Sequence, residues 1–356
     1  MSKTPSVSLC MIVKDEAAFI EKCLQSIKEL ADEIIIVDTG STDETVQLCE
    51  KFNAKVYSYE WKDHFADARN YALSFATGDW ILWLDGDEEL ATVDKSILAE
   101  KLTNPHADLY SLPVLNYSGE SGKINKNNTY LFYQPRLFRN HIGITFQNRI
   151  HETLRLPHVL VGKEPEPVPF TIHHFGYLLD ITERKNKGHR NITLLQQELA
   201  EPDHSPWIEY HLASEYYRNE QYSLAFQYVN LSIIRFLQQN TMPHSLLYKL
   251  KYATIIETGS YEGGSEAIDK ALILYPDYVD LHFYKGYFLF KMNKYKEALN
   301  SFETCLELGD HHTNYLILQG TGSFKAWHYK GLCHEQLGNK ELAEEAFKQE
   351  KIDLDN

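Results

Sequence analysis

Trp80-Ile81-Leu82-Trp83-Leu84 runs directly into Asp85-Gly86-Asp87-Glu88-Glu89, and the fold is read from this join. Five consecutive apolar residues are short for a buried helix and fit a strand covered on both faces. The turn that leaves the strand carries two carboxylates one residue apart. Hard cations such as Mg²⁺ or Mn²⁺ take oxygen ligands of this kind and keep waters and substrate phosphates besides. An acidic helix cap would look the same in isolation, so the surroundings must decide.

Towards the N-terminus the same grammar repeats. Val7 to Val13 and Glu33 to Val37 (EIIIV) are further apolar runs, the second closed by Asp38, and Ala54 to Tyr59 is a third. Helical stripes lie between them. Glu16 to Leu30 places Phe19, Ile20, Leu24 and Ile27 on one face. Ser41-Thr42-Asp43-Glu44 reads as a capped helix start leading to about Phe52, and Phe65 to Ala76 reads as a helix stopped by Gly78. Strands alternating with helices predict a Rossmann-like α/β domain with a mostly parallel sheet. Ligands of such sheets bind beyond the carboxyl ends of the strands, where Asp38 and Asp85 both fall.

Two more segments bear on a site. In Asp38-Thr39-Gly40-Ser41-Thr42-Asp43, a strand-end carboxylate can accept from a nucleobase or ribose, and the helix start favours phosphates. The same residues also make an ordinary capped turn. In Asp67-Ala68-Arg69-Asn70, a guanidinium on the helix before Trp80 can bridge carboxylates and a diphosphate, or form a surface ion pair.

Composition narrows the class. A chain of 356 residues exceeds one ordinary core and predicts two domains. The net charge of -15 comes with no basic stripe, which argues against nucleic acid as a partner. Cys10, Cys23, Cys49, Cys305 and Cys333 are widely spaced, as reduced thiols of a cytoplasmic protein would be. The first apolar run is stopped by Lys14-Asp15-Glu16, so neither a signal peptide nor a membrane span is expected there.

From about Trp207 the periodicity is helical throughout. Leu212, Ala213, Tyr216, Tyr222 and Ala225 take the positions of a tetratricopeptide repeat. Gly286, Tyr295, Ala298 and Phe302 repeat the arrangement, as do Gly331, Leu337, Gly338, Ala343 and Phe347, with a weaker unit around Ala267. The expected organisation is an α/β domain over 1–180, a linker helix over 181–205 with the basic cluster Arg184, Lys185, Lys187 and Arg190, and helical repeats over 206–356. Such repeats hold peptides, dock partners or pair into a homodimer.

The ordered series KDE (14–16), VDTGSTDET (37–45), ADARN (66–70), ATGDWILWLDGDEEL (76–90), PRLFRN (135–140), RIHE (149–152) and HFGY (174–177) resembles family 2 glycosyltransferases of the GT-A fold. With the repeats added, the chain is similar to bacterial peptide S-glycosyltransferases of the sublancin type. The resemblance implies a metal-dependent, inverting transfer of a sugar from a nucleotide-sugar, with UDP-hexose the expected donor, to a Cys, Ser or Thr side chain of a polypeptide. It implies that Asp38 meets the base or ribose and that Asp43 and Arg69 order the nucleotide pocket. Asp85 then faces the ribose, Asp87 and His174 hold Mg²⁺ or Mn²⁺, and Arg149 and Tyr177 join the donor-binding set. Glu152 is the candidate general base beside His151, and the same pair can instead bind sugar hydroxyls. Two rivals stand beside this reading: a glycan or lipid-linked acceptor, and an inactive transferase serving as a scaffold.

Overall fold

Both faces of the central sheet are covered, which is why its strands read as unbroken apolar runs. The computed structural model describes residues 5–117, 119–120, 123–124, 129–176, 187–201 and 204–355. The chain divides into two compact units, Met1–Ile124 with Phe132–Arg184, and Asn125–Leu131 with Lys185–Asn356.

In the first unit the chain runs β1 (Val7–Val13), α1 (Ile20–Ile27), β2 (Glu33–Asp38), α2 (Thr45–Glu50), β3 (Lys55–Ser58), α3 (Phe65–Leu73), β4 (Trp80–Trp83), β5 (Glu88–Leu90), α4 (Lys95–Thr103) and β6 (Leu109–Asn116). A small hairpin, β7 (Gly119–Glu120) and β8 (Lys123–Ile124), precedes β9 (Tyr130–Arg139), β10 (Thr145–Gln147), β11 (Thr153–Arg155), β12 (Glu166–Pro167) and β13 (Ile172–His174). The sheet order is β3-β2-β1-β4-β9-β6-β13-β5, parallel from β3 to β4 and mixed beyond. Leu9, Met11, Ile34 and Ile36 alternate onto the face that buries Ile20, Cys23, Leu24, Ile27 and Leu48. Cys10, Ile35 and Val37 alternate onto the other face with Ala66 and Ala72 of α3.

The strands after β1 go first to one side of it, as β2 and β3, and then to the other, as β4. The ends of β1, β2 and β4 therefore flank a topological switch point, the usual place for a ligand in such a sheet. Parallel pairing of Val13 with Asp38 puts that carboxylate at this edge.

Local details depart from the sequence reading. Helix α2 begins at Thr45, because the Ser41 N–H is taken by Asp38 and the Thr42 N–H by Asp15. Gly78 is not the stop of α3, which ends at Leu73 with Ser74 in right-handed conformation. Gly78 is needed for close approach: a Cβ there would lie 2.6 Å from Ser8 Oγ and 2.9 Å from its backbone nitrogen.

In the second unit, α5 (Lys187–Leu199) packs on the first of four antiparallel hairpins. These are α6 (Trp207–Arg218) with α7 (Tyr222–Gln238), α8 (Ser245–Thr258) with α9 (Tyr261–Leu274), α10 (Val279–Lys291) with α11 (Tyr295–Leu308), and α12 (Phe324–Gln336) with α13 (Lys340–Asp355). The glycines act through missing volume, since a Cβ on Gly286 would meet the Phe302 ring at 2.7 Å and one on Gly331 the Phe347 ring at 2.5 Å. An insert over residues 309–323 breaks the repeat spacing. It carries the short strand β14 (Ile317–Leu318), which pairs with Leu131 and Tyr130.

Candidate active site

Arg69 organises the carboxyl edge of β4. It sits on α3, which packs against β1, β2 and β10, and its guanidinium carbon lies 4.5 Å from the centre of the Trp83 ring. Nη2 donates to Asp85 Oδ1 at 2.6 Å and Nε to Glu152 Oε1 at 2.5 Å. Burial works against the charge, and the two carboxylates more than restore it. The remaining terminal nitrogen, Nη1, is buried without a hydrogen-bond partner among the described residues. An oriented, unspent cationic N–H at a strand edge is a place for an anion.

The next residue explains how Glu152 reaches this point. Asn70 exchanges two hydrogen bonds with the Phe146 backbone, donating at 2.9 Å and accepting at 2.7 Å, and so mimics a strand partner. The Phe65 N–H donates to the Arg149 carbonyl, and Arg149 Nη1 to the Asp63 carbonyl. Together these ties bring the 146–152 segment against α3. His151, between Arg149 and Glu152, takes a left-handed backbone conformation with φ 51°.

Asp87 is buried and faces His174, with Nε2 3.5 Å from Oδ1. Asn116 donates its amide to the Val114 carbonyl, so its oxygen faces His174 Nδ1 at 2.8 Å. The imidazole thus meets Asn116 through Nδ1, and its Nε2 faces the Asp87 carboxylate. Burial lowers the His174 pKa, but the Asp87 carboxylate reverses the sign and the net shift is upward. Gly176 leaves the space open: a Cβ there would lie 2.5 Å from His174 Nε2 and 2.6 Å from Asp87 Oδ2. Among the described residues no group of three or more His, Cys, Asp or Glu side chains gathers as a metal site. Two protein ligands suit a Mg²⁺- or Mn²⁺-type ion that takes its other positions from water and substrate phosphate. His173 points elsewhere and bonds Tyr117 Oη at 2.8 Å.

The remaining candidates lie farther along the edge or beyond description. Asp38, 8% exposed, accepts the N–H groups of Gly40 and Ser41. Asp43 accepts from Thr45 and from the Ala17 N–H, fastening the loop after β1 to the turn after β2. Tyr177 lies outside the described residues. Sequence reasoning assigned no role to Asn116, Glu88 or Arg136. Glu88 and Arg136 form a buried pair at 2.6 Å, and Glu88 Oε2 also accepts the Asp85 N–H at 2.8 Å. The motif PRLFRN carried the Arg136 signal, but its partner lies 48 positions away.

Carboxylates, an oriented guanidinium and an Asp–His pair thus gather at the switch point of an α/β sheet. Residues 8–159 match the model of the family described as Glycosyl transferase family 2. The TPR repeat-containing protein Synpcc7942_0270 of Synechococcus elongatus is 37% identical over 55% of this chain and 48% of its own length. The SPbeta prophage-derived glycosyltransferase SunS of Bacillus subtilis is 26% identical over 80% of this chain and 67% of its own. An uncharacterized glycosyltransferase of Rickettsia bellii is 34% identical over 38% of this chain and 43% of its own. The match thus spans about half the length of the first of these relatives. Among the described residues no helix is long and apolar enough to cross a membrane.

Proposed function

We propose that the protein transfers a sugar, with inversion, from a nucleoside diphosphate sugar of the UDP type to a side chain of a polypeptide, using a divalent cation. The observation that carries this reading is the Asp87–His174 pair, open at Gly176, on the same β4 edge as the unspent Nη1 of Arg69. The domain family and the likeness to a named glycosyltransferase support the transfer, and the helical repeats favour a polypeptide acceptor over a glycan. Five free, buried cysteines suit a reducing, cytoplasmic setting.

In this reading Asp38 meets the base or ribose, Asp85 faces the ribose, and Asp43 with Arg149 holds the loops that frame the nucleotide. Arg69 Nη1 takes a diphosphate oxygen. A divalent cation on Asp87 and His174 would neutralise charge gathering on the departing diphosphate. Glu152 accepts the acceptor proton as the acceptor sulfur or oxygen bonds to the anomeric carbon and the carbon–diphosphate bond breaks on the opposite face. Glu152 also holds Arg69, so two substitutions separate its duties. Glu152→Gln keeps an acceptor for Arg69 and should lose transfer while retaining donor binding. Glu152→Ala should weaken both. Wild-type turnover in Glu152→Gln removes it as the base.

Calorimetry with UDP-sugars, with and without Mn²⁺, tests the donor, and mass spectrometry of incubated peptides tests the acceptor. An inactive scaffold would bind no nucleotide-sugar in either condition.

A further inference from the structure

Glu88 and Arg136 are 1% and 3% exposed, and no part of the proposed chemistry uses them directly. A buried ion pair is a poor route to stability, because desolvation cancels most of the attraction and an apolar pair of similar shape does as well. This pair does something that an apolar pair cannot. Glu88 spends Oε1 on Arg136 Nη2 and Oε2 on the Asp85 N–H, while the Glu88 N–H donates to the Asp85 carbonyl at 3.1 Å. Arg136 is fixed in turn by Gln134 Oε1 at 3.0 Å, by the Trp83 carbonyl at 3.5 Å and by the Trp83 ring, 3.7 Å from its guanidinium carbon. The far end of the turn is held where the Phe175 N–H meets the Asp87 carbonyl at 3.1 Å. Asp85 and Asp87 therefore project from a turn clamped at both ends.

We propose that Glu88 and Arg136 are positioning residues that hold the Asp85–Asp87 turn in the geometry that binds a divalent cation and the nucleoside diphosphate. The inference rests on the donor reading above. Arg136 acts through Glu88, and Glu88 through the backbone of Asp85. Arg136 also brings a second cation to a group of four carboxylates, Asp85, Asp87, Glu88 and Glu152, that Arg69 alone would leave strongly negative.

Two variants of the full chain test this, with hydrogen exchange and nucleotide binding as readouts. Arg136→Met keeps an unbranched stem against Trp83, and Glu88→Gln keeps the shape of the carboxylate. Each should speed amide exchange across residues 84–89 about 10-fold, the effect expected for one lost buried hydrogen bond. Each should raise the Mn²⁺ concentration for half-maximal UDP binding by roughly 10- to 100-fold, as losses behind metal ligands do. The double variant should be little worse than the worse single variant. A pair that only stabilises the fold would lower the melting temperature and leave the Mn²⁺ dependence and the local exchange unchanged, and that result overturns the proposal. If Arg136→Met does not fold, the near-isosteric Glu88→Gln decides by the same readouts. A wild-type chain that binds no UDP with Mn²⁺ defeats the donor reading instead, and exchange over 84–89 still decides the clamp.

Discussion

The two edges of the parallel sheet are built from similar residues and put them to opposite use. At the amino edge three acids, Glu33, Asp79 and Asp32, are spent on the framework. Glu33 accepts from Ser8 Oγ, from the Thr77 backbone and hydroxyl, from the Gly78 N–H and from Lys55. Asp79 takes the Ser6 N–H and hydroxyl, and Asp32 takes the Val7 N–H. At the carboxyl edge Arg69 keeps an unspent N–H, and Asp87 meets His174 beside Gly176, where a Cβ would crowd both. Satisfied polar groups stabilise a fold, whereas a donor left unspent, as Arg69 Nη1 is, can serve a ligand.

Substitutions at the two edges should therefore separate activity from stability. The largest effect is expected from Asp87→Ala, which should cut turnover by roughly 10²- to 10³-fold, the usual scale for losing charge stabilisation of a leaving group. Its melting temperature should stay near that of the wild type, and a large fall would make Asp87 part of the framework. Gly176→Ala should cost on the order of 10- to 100-fold in Mn²⁺ affinity, read by titration, because the new methyl enters the space between Asp87 and His174.

The amino edge should show the reverse pattern. Glu33→Ala should lower unfolding free energy by about 1–3 kcal/mol in urea titration and leave donor binding untouched. Its contribution carries a pH signature. Burial raises the Glu33 pKa, but hydrogen bonds from Ser8, Thr77 and Lys55 outweigh burial and bring it down from 4.5 to about 2. A carboxyl lowered on folding stabilises above its unfolded value, and the contribution fades as pH falls from 4.5 towards 2. The stability gap between wild type and Glu33→Ala should close over that window. Gly78→Ala should cost roughly 1–3 kcal/mol in the same titration, because its Cβ would press on the Ser8 backbone as well as on Oγ. A large loss of activity in either variant would erase the distinction between the edges.

Sequence alone determined whatever depends on neighbours along the chain. Apolar runs and their periods specify strands and helices, so the α/β domain, the helical repeats and the strand-end position of Asp38 and Asp85 are legible without coordinates. Glycine and phenylalanine at repeat positions likewise announce close helix pairs such as Gly286 with Phe302. Tertiary structure decided which distant groups share one hydrogen bond. Arg69 meets Glu152 across 83 positions, His174 meets Asn116 across 58, and Glu88 meets Arg136 across 48. It also turned His173 towards Tyr117 and His174 towards Asp87, by strand alternation. Local propensity acts over a few residues through backbone sterics and side-chain period. The orientation of a buried polar group depends on whichever partner packing brings within about 3 Å, and no short stretch of sequence encodes that partner.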